Sequence, residues 1–162
     1  MLLVFCGIPI TVVSSMRAIR TIGYEDSSIN EFIETLVSTN ITFVLDIREI
    51  PVSRRKGFSK KILSQRLINE GIGYRHVKAL GSPKEIRDRL RKSGDFERFF
   101  NEYDRYLLTQ QDCLKSIADE LTGSVALLCY ERDPKYCHRK SVARELSKIT
   151  GKKPLHLGVK KY

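Results

Sequence analysis

From Arg17 onward, short β-branched apolar runs alternate with longer segments whose apolar positions recur every three or four residues. Such alternation predicts an α/β fold around a mainly parallel sheet. Residues 18–24, AIRTIGY, have the composition of a first strand. Ser28 to Glu31 then forms an S-x-x-E capping box, and Ile29, Phe32, Ile33, Leu36 and Val37 follow at i, i+3, i+4, i+7 and i+8, which predicts a helix. Residues 42–48, TFVLDIR, are almost continuously apolar before ending in charge, as a strand buried on both faces should be. A second helix is expected over 59–71, closed by Gly71.

The pattern continues with a third strand over 73–80. Ser82, Pro83, Lys84 and Glu85 then have the order of a cap, a first-turn proline and a capping acid. Asp95 is placed to cap a helix carrying Phe96, Phe99, Phe100, Tyr103 and Leu107. Another helix carries Cys113, Leu114, Ile117, Ala118 and Leu121, with a break near residues 109–112. The aromatic stripe is one-sided and helically spaced, so it reads as core packing. Residues 124–129 predict a fourth strand, followed by a helix to about Thr150, a stop at Gly151 and a last strand in KPLHLGV. No internal repeat, low-complexity tract or linker interrupts the series. The expected architecture is one compact three-layer α/β domain, with about five mainly parallel strands and helices on both faces of the sheet.

Composition narrows the class. With 41% hydrophobic and 30% charged residues the chain is suited to a packed core, and no apolar stretch approaches the ~20 residues needed to span a bilayer. A formal net charge of +10 favours a phosphate-bearing partner, a small molecule or a nucleic acid, although a solvated Lys/Glu surface accounts for part of it. Cys6, Cys113, Cys129 and Cys137 show no repeated CxxC spacing and no clear export signal accompanies them, which points to free thiols in a cytoplasmic setting. Residues 1–15 form an apolar run without a basic stretch before it, and MRAIRTIGYE from Met16 reads as a complete start. The expectation is an N-terminal extension over 1–15 and a single domain over 16–162.

The residues with chemistry fall at the predicted strand ends. Gly23, Tyr24 and Glu25 end the first strand, Asp46 and Arg48 the second, Leu80 and Gly81 the third, and Cys129, Tyr130 and Glu131 the fourth. In an open parallel sheet these ends share one edge, where ligands bind at a topological switch point. Asp133 and Pro134 read as the cap and first residue of the last helix, which would hold Cys137, His138 and Arg139 in its first turn. A thiol there beside an arginine is expected to form thiolate readily, and the same helix end could bind an anion with Arg139 as a clamp. Glu131, just beyond a buried strand, is expected to have a raised pKa suited to acid or base work.

Several readings of these residues compete. Cys129 or Cys137 could be a nucleophile with His138 as its base and Arg139 or Arg48 stabilising charge. The phosphatase-type loop, however, places its arginine six residues after the cysteine, and here Arg139 is ten residues from Cys129. A metal could take Cys129, Cys137 and His138, with His76 as a further ligand, but the seven-residue gap and the adjacent Cys-His pair do not match common zinc spacings, so no metal or other cofactor is assigned. Structurally, Cys129 could simply finish a strand as a small hydrophobe while Cys137 packs in a helix turn. Residues 51–61 add a basic loop in which Arg54, Arg55, Lys56 and Lys60 suit phosphate and Phe58 suits stacking on a base.

TIGYE, LDIREIPVSRRKGFSK, GYRHVKALG and LLCYERDPKYCHR, in that order, resemble the family catalogued as domain of unknown function 488. The likeness runs from Ile19 to Leu157 and rests on Thr21, Gly23, Tyr24, Asp46, Arg48, Pro51, Ser53, Arg54, Gly81, Cys129, Glu131, Cys137, His138 and Arg139. It implies a compact α/β domain and no particular activity. Together these features point to an enzyme on a phosphate-bearing substrate, a nucleotide or nucleic acid. Arg48, Arg54 and Arg139, with Gly23 and Tyr24, would bind the anion, and Cys129, Glu131, Cys137, His138 and Asp46 are the candidates for chemistry. The alternatives are a non-catalytic nucleic-acid-binding accessory domain, or a redox sensor in which Cys129 and Cys137 pair.

Overall fold

The computed structural model describes residues 16–161; the extension expected over 1–15 lies outside the described residues. In chain order the elements are β1 (Met16–Gly23), α1 (Ile29–Ser38), β2 (Phe43–Asp46), α2 (Lys60–Asn69), β3 (Gly73–His76), α3 (Lys84–Ser93), α4 (Phe96–Leu108), α5 (Gln111–Glu120), β4 (Gly123–Cys129), α6 (Arg139–Thr150) and β5 (Leu155–Leu157). All strand pairs are parallel and the sheet order is β3-β2-β4-β1-β5. This is the expected α/β architecture. β4, the last strand but one in sequence, is inserted between β1 and β2 and has strands on both sides.

Two apolar layers cover the sheet. On one face Phe32, Leu36, Leu63 and Leu67 of α1 and α2 pack on Ile22, Val44, Ala126 and Leu128. On the other, Tyr103, Leu107, Leu114, Ile117, Val142 and Leu146 of α4, α5 and α6 pack on Ile19, Leu45, Val125 and Leu127. Side chains alternate across a strand, so position parity decides which layer each strand-end residue joins. Asp46 follows Val44 toward α1 and α2. Cys129 follows Val125 and Leu127 toward α4 and α6. No helix among the described residues is long and apolar enough to cross a membrane.

Local signals behave largely as read. Ser28 and Glu31 form both halves of the capping box, with Ser28 N donating to Glu31 Oε2 at 2.7 Å and Glu31 N to Ser28 Oγ at 3.2 Å. Asp95 caps α4 by accepting from Arg98 N at 2.9 Å. Of the aromatic stripe, Phe99 and Tyr103 are buried core.

Three expectations are corrected. β3 stops at His76, because the Tyr103 and Tyr106 hydroxyls draw the carbonyls of Leu80 and Ala79 toward α4 at 2.6 and 2.8 Å and residues 78–80 form a 3-10 turn. Ser82 does not cap α3: Pro83 holds the cap position, no side chain bonds the helix end, and the buried Ser82 hydroxyl has no partner. Asp133 caps only a short 3-10 turn over Pro134–Tyr136, accepting from Lys135 N at 2.8 Å, and extended backbone at Cys137 delays α6 to Arg139.

Replacing the exposed cap, Ser28→Ala, is expected to lower unfolding free energy by about 1 kcal/mol, whereas Leu36→Ala in the inner layer should remove about 2–5 kcal/mol. Urea denaturation of the two variants checks this, and equal losses would contradict the assignment of Leu36 to the core.

Candidate functional site

The sheet topology places the C-terminal ends of β1, β2 and β4 side by side, with β4 in the middle. The segment after β4 must turn across β1 to reach α6, and it passes so close to Gly23 that a β-carbon there would overlap the Glu131 carbonyl. Glycine at 23 is therefore a requirement of close approach. Arg139 secures the crossing. Its fully buried guanidinium donates through Nε to Thr21 Oγ1 at 3.2 Å, through Nη1 to the Glu131 carbonyl, and through Nη2 to the Arg132 carbonyl at 2.9 Å. All three nitrogens are directed at the protein itself. Arg139 thus positions the loop, and an anion clamp would need donors that this geometry engages elsewhere.

The crossing brings Cys129, Glu131, Cys137 and His138 together. Cys129 Sγ donates to Glu131 Oε2 at 3.0 Å and lies 3.7 Å from His138 Nδ1. The other ring nitrogen, Nε2, is 3.0 Å from the Ile47 carbonyl. A carbonyl can only accept, so Nε2 carries hydrogen and Nδ1 faces the thiols. Tyr103 packs edge-on against the imidazole, with ring centres 5.1 Å apart. Arg139 N donates to Cys137 Sγ at 3.5 Å. Ligand atoms of Cys129, Cys137 and His138 all lie within 4.8 Å of one another, and all three residues are buried.

The electrostatics differ from the expectation of an easily formed thiolate and a raised carboxylate pKa. A hydrogen bond with Cys137 lowers the Cys129 pKa, but burial and the Glu131 carboxylate outweigh it and push the thiol up. Burial, together with the bond to Cys129, raises Cys137 well above the usual thiol range. For Glu131, burial acts upward, yet the bonds from the two thiols prevail and hold the carboxylate low. His138 is raised despite its burial by Cys137, Glu131 and the Ile47 carbonyl. The reason is placement: Cys137 precedes α6 and is closed off from water, so desolvation dominates any helix-end field.

Asp46 and Arg48 form a second cluster on the α1/α2 side. The pair is bidentate, Nε to Oδ1 at 2.8 Å and Nη2 to Oδ2 at 2.6 Å, and Tyr74 OH donates to Oδ2 at 2.6 Å. Arg48 Nη1 donates to Tyr24 OH at 3.0 Å and to the Phe58 carbonyl at 2.8 Å. Asp46 is fully buried and is not among the cleft walls, whereas Arg48 and Tyr24 are. Beside Asp46, the Arg48 guanidinium is held above its ordinary range although burial opposes this, and burial with the bond to Asp46 likewise raises Tyr74. His76 bonds the Arg48 carbonyl through Nε2 at 2.7 Å, away from the thiols. Phe58 is fully buried, stacked on Tyr24 at 4.2 Å and edge-on to Phe32. Its expected role as a base-stacking platform is corrected, because the loop folds this ring inward.

Between the clusters opens a cleft of about 980 Å³ in which Cys129, Glu131 and His138 meet Arg48, Arg54 and Arg55. Lys56 and Lys60 are exposed and do not line it. The sequence reading missed the opposite wall, where α3 contributes Arg87 and Arg91 and the turn before it contributes Ser82. Their i, i+4 spacing was the available signal. Exposed Tyr130 and Tyr136 complete the rim. Arg87 pairs with Glu49; Arg55 pairs with exposed Asp26 and also donates to the Ser27 carbonyl at 3.1 Å, and Arg91 pairs with Asp88 near the surface. Arg54 has no hydrogen-bond or ion-pair partner among the described residues.

Gly23→Ala is expected to destabilise the protein by more than about 2 kcal/mol, through overlap with the Glu131 carbonyl, while Gly158→Ala, with open space around it, should stay within about 0.5 kcal/mol. Equal thermal-unfolding midpoints for the two variants would contradict the close crossing.

A family model described as domain of unknown function DUF488 matches residues 28–146, well over half of the chain. No curated protein matches the chain, and no solved structure does. The chain belongs to the DUF488 family.

Proposed function

We propose that this chain is an enzyme acting on a phosphate-bearing ligand, a nucleotide or a nucleic acid, held in the cleft at the strand ends. One observation carries the reading: the Cys129, Glu131 and His138 cluster opens onto a cleft whose walls include five arginines and only two glutamates. Two of those arginines, Arg48 and Arg87, are neutralised by Asp46 and Glu49. The others are Arg54, which is unpaired, and Arg55 and Arg91, whose exposed ion pairs are worth little and yield readily to a phosphate. The rim tyrosines Tyr130 and Tyr136 are 43% and 54% exposed. They supply ring faces for a nucleobase, a contact worth about 1–3 kcal/mol.

Within this reading Glu131 is the proton acceptor. Its carboxylate stays ionised, and it stands at the inner end of the cleft beside Cys129. Cys129, Cys137 and His138 form the centre at which it works. Arg139 holds that centre in place, and the Asp46–Arg48 pair braces the other wall of the cleft.

The test uses a short fluorescein-labelled single-stranded oligonucleotide and ATP as probes, with binding read by anisotropy across a salt series and products by mass spectrometry. Arg54→Gln and Arg91→Gln should each weaken oligonucleotide binding at every salt concentration and lower the salt slope by about 1. Glu131→Gln should leave affinity within about twofold while removing product formation, as loss of a proton-transfer group of about 10²–10⁴-fold effect would. Unchanged binding in both arginine variants, or full turnover by Glu131→Gln, would sink the proposal. Tight binding by the wild type with no product from either probe would favour a non-catalytic binding domain.

A further inference from the structure

We infer that Cys129, Cys137 and His138 are the protein ligands of a zinc-type divalent cation, with the fourth coordination position facing the cleft beside Glu131. The inference rests on the reading of this cluster as the reactive end of the cleft, and goes beyond it by naming what the cluster holds.

The donor set is the first argument. Two thiol sulfurs and one imidazole nitrogen are the soft and borderline ligands that select zinc among common divalent ions, and three protein ligands with one open position is the arrangement of catalytic zinc sites. The chain gathers them from two elements. Cys129 ends the central strand β4, and Cys137 and His138 arrive on the turn that Arg139 ties across β1. The uncommon sequence spacing therefore reflects a return crossing and carries no weight against a metal.

Geometry is the second. A tetrahedron with Zn–S near ~2.3 Å and Zn–N near ~2.0 Å has S···N edges of about 3.5 Å. The Cys129 Sγ to His138 Nδ1 separation is 3.7 Å, and all three ligand atoms fall within 4.8 Å of one another. Cys129 and His138 line the cleft and fully buried Cys137 does not, so the remaining vertex would face the cleft. Glu131 Oε2, 3.0 Å from Cys129 Sγ, borders that vertex.

The surroundings of the ligands are the third. Metal-binding histidines usually donate their second ring N–H to a carbonyl or carboxylate, which fixes the tautomer. His138 Nε2 meets the Ile47 carbonyl at 3.0 Å, leaving Nδ1 for the cation. The backbone N–H of Arg139 points at Cys137 Sγ, where it would stabilise a thiolate. Binding one cation displaces two thiol protons to solvent, and the two thiolates balance the charge of the ion. The open vertex would take a water or a phosphate oxygen, with Glu131 Oε2 as the neighbouring carboxylate.

Full-length protein, reduced with a phosphine and stripped of metal, is titrated with cobalt(II) in the absence of nucleotide. The expected result is a sulfur-to-cobalt charge-transfer band with intense tetrahedral visible bands, saturating at one cobalt per chain and lost on adding zinc. Cys137→Ser and His138→Gln should weaken uptake by more than the ~10–100-fold that loss of an outer partner costs, whereas Cys113→Ser should leave it unchanged. If a ligand variant fails to fold by circular dichroism, the wild-type titration still decides. Reduced wild type without these bands at stoichiometric cobalt would overturn the inference, as would equal loss in the Cys113→Ser control. Cobalt uptake without nucleotide binding keeps the metal centre and removes the proposed function. Nucleotide turnover without uptake does the reverse.

Discussion

A single buried guanidinium organises the candidate site. Arg139 reaches from the first turn of α6 to Thr21 in β1 and to two consecutive carbonyls of the segment that follows β4. The first of these, the Glu131 carbonyl, lies directly over Gly23. Hydrogen bonds to a charged donor contribute about 1.5–3 kcal/mol each, and an orphaned buried carbonyl costs a comparable amount. The loop is therefore held where it crosses, and with it the relation of Cys129 and Glu131 on one side to Cys137 and His138 on the other. Lysine could not serve in this place, because one ammonium cannot span three acceptors in a plane.

The Asp46–Arg48 pair plays a matching part on the opposite layer. Taking both charges out of water is costly, and the cost is offset here by bidentate geometry and by bonds from Tyr74 and to Tyr24 and Phe58. The pair ties β2 to β3, to the end of β1 and to the basic loop. With Phe58 folded under Tyr24, that loop presents Arg54 and Arg55 to the cleft while its apolar ring stays inside. Two structural arginines thus frame the cleft, and arginines with weak or no partners are left on its walls.

Much of this was legible in the sequence, for identifiable reasons. Period-two and period-3.6 patterning revealed the elements, and parallel topology alone sends Gly23, Arg48 and Cys129 to one sheet edge. What the pattern could not reveal was the layer each residue joins. Asp46 and Glu131 both follow apolar strands, but Asp46 shares parity with Val44 and turns toward α1 and α2, away from the thiols. Gly57, with φ of 95°, turns the basic loop so that Phe58 points inward, which composition does not announce. The arginines of α3 were readable as a helix surface yet not as a cleft wall, since that depends on where the helix docks. The pKa directions depend on burial and on the contact between two thiols eight residues apart, and both are products of the crossing that Arg139 enforces.

Amide hydrogen exchange on wild type and Arg139→Lys tests that enforcement most directly. Losing two charged hydrogen bonds of this kind should speed exchange over residues 130–138 by more than about tenfold. Protection in α1 and in residues 125–128 of β4 should be retained. Unchanged exchange across 130–138, or a uniform rise through the whole sheet, would show that the crossing does not depend on Arg139.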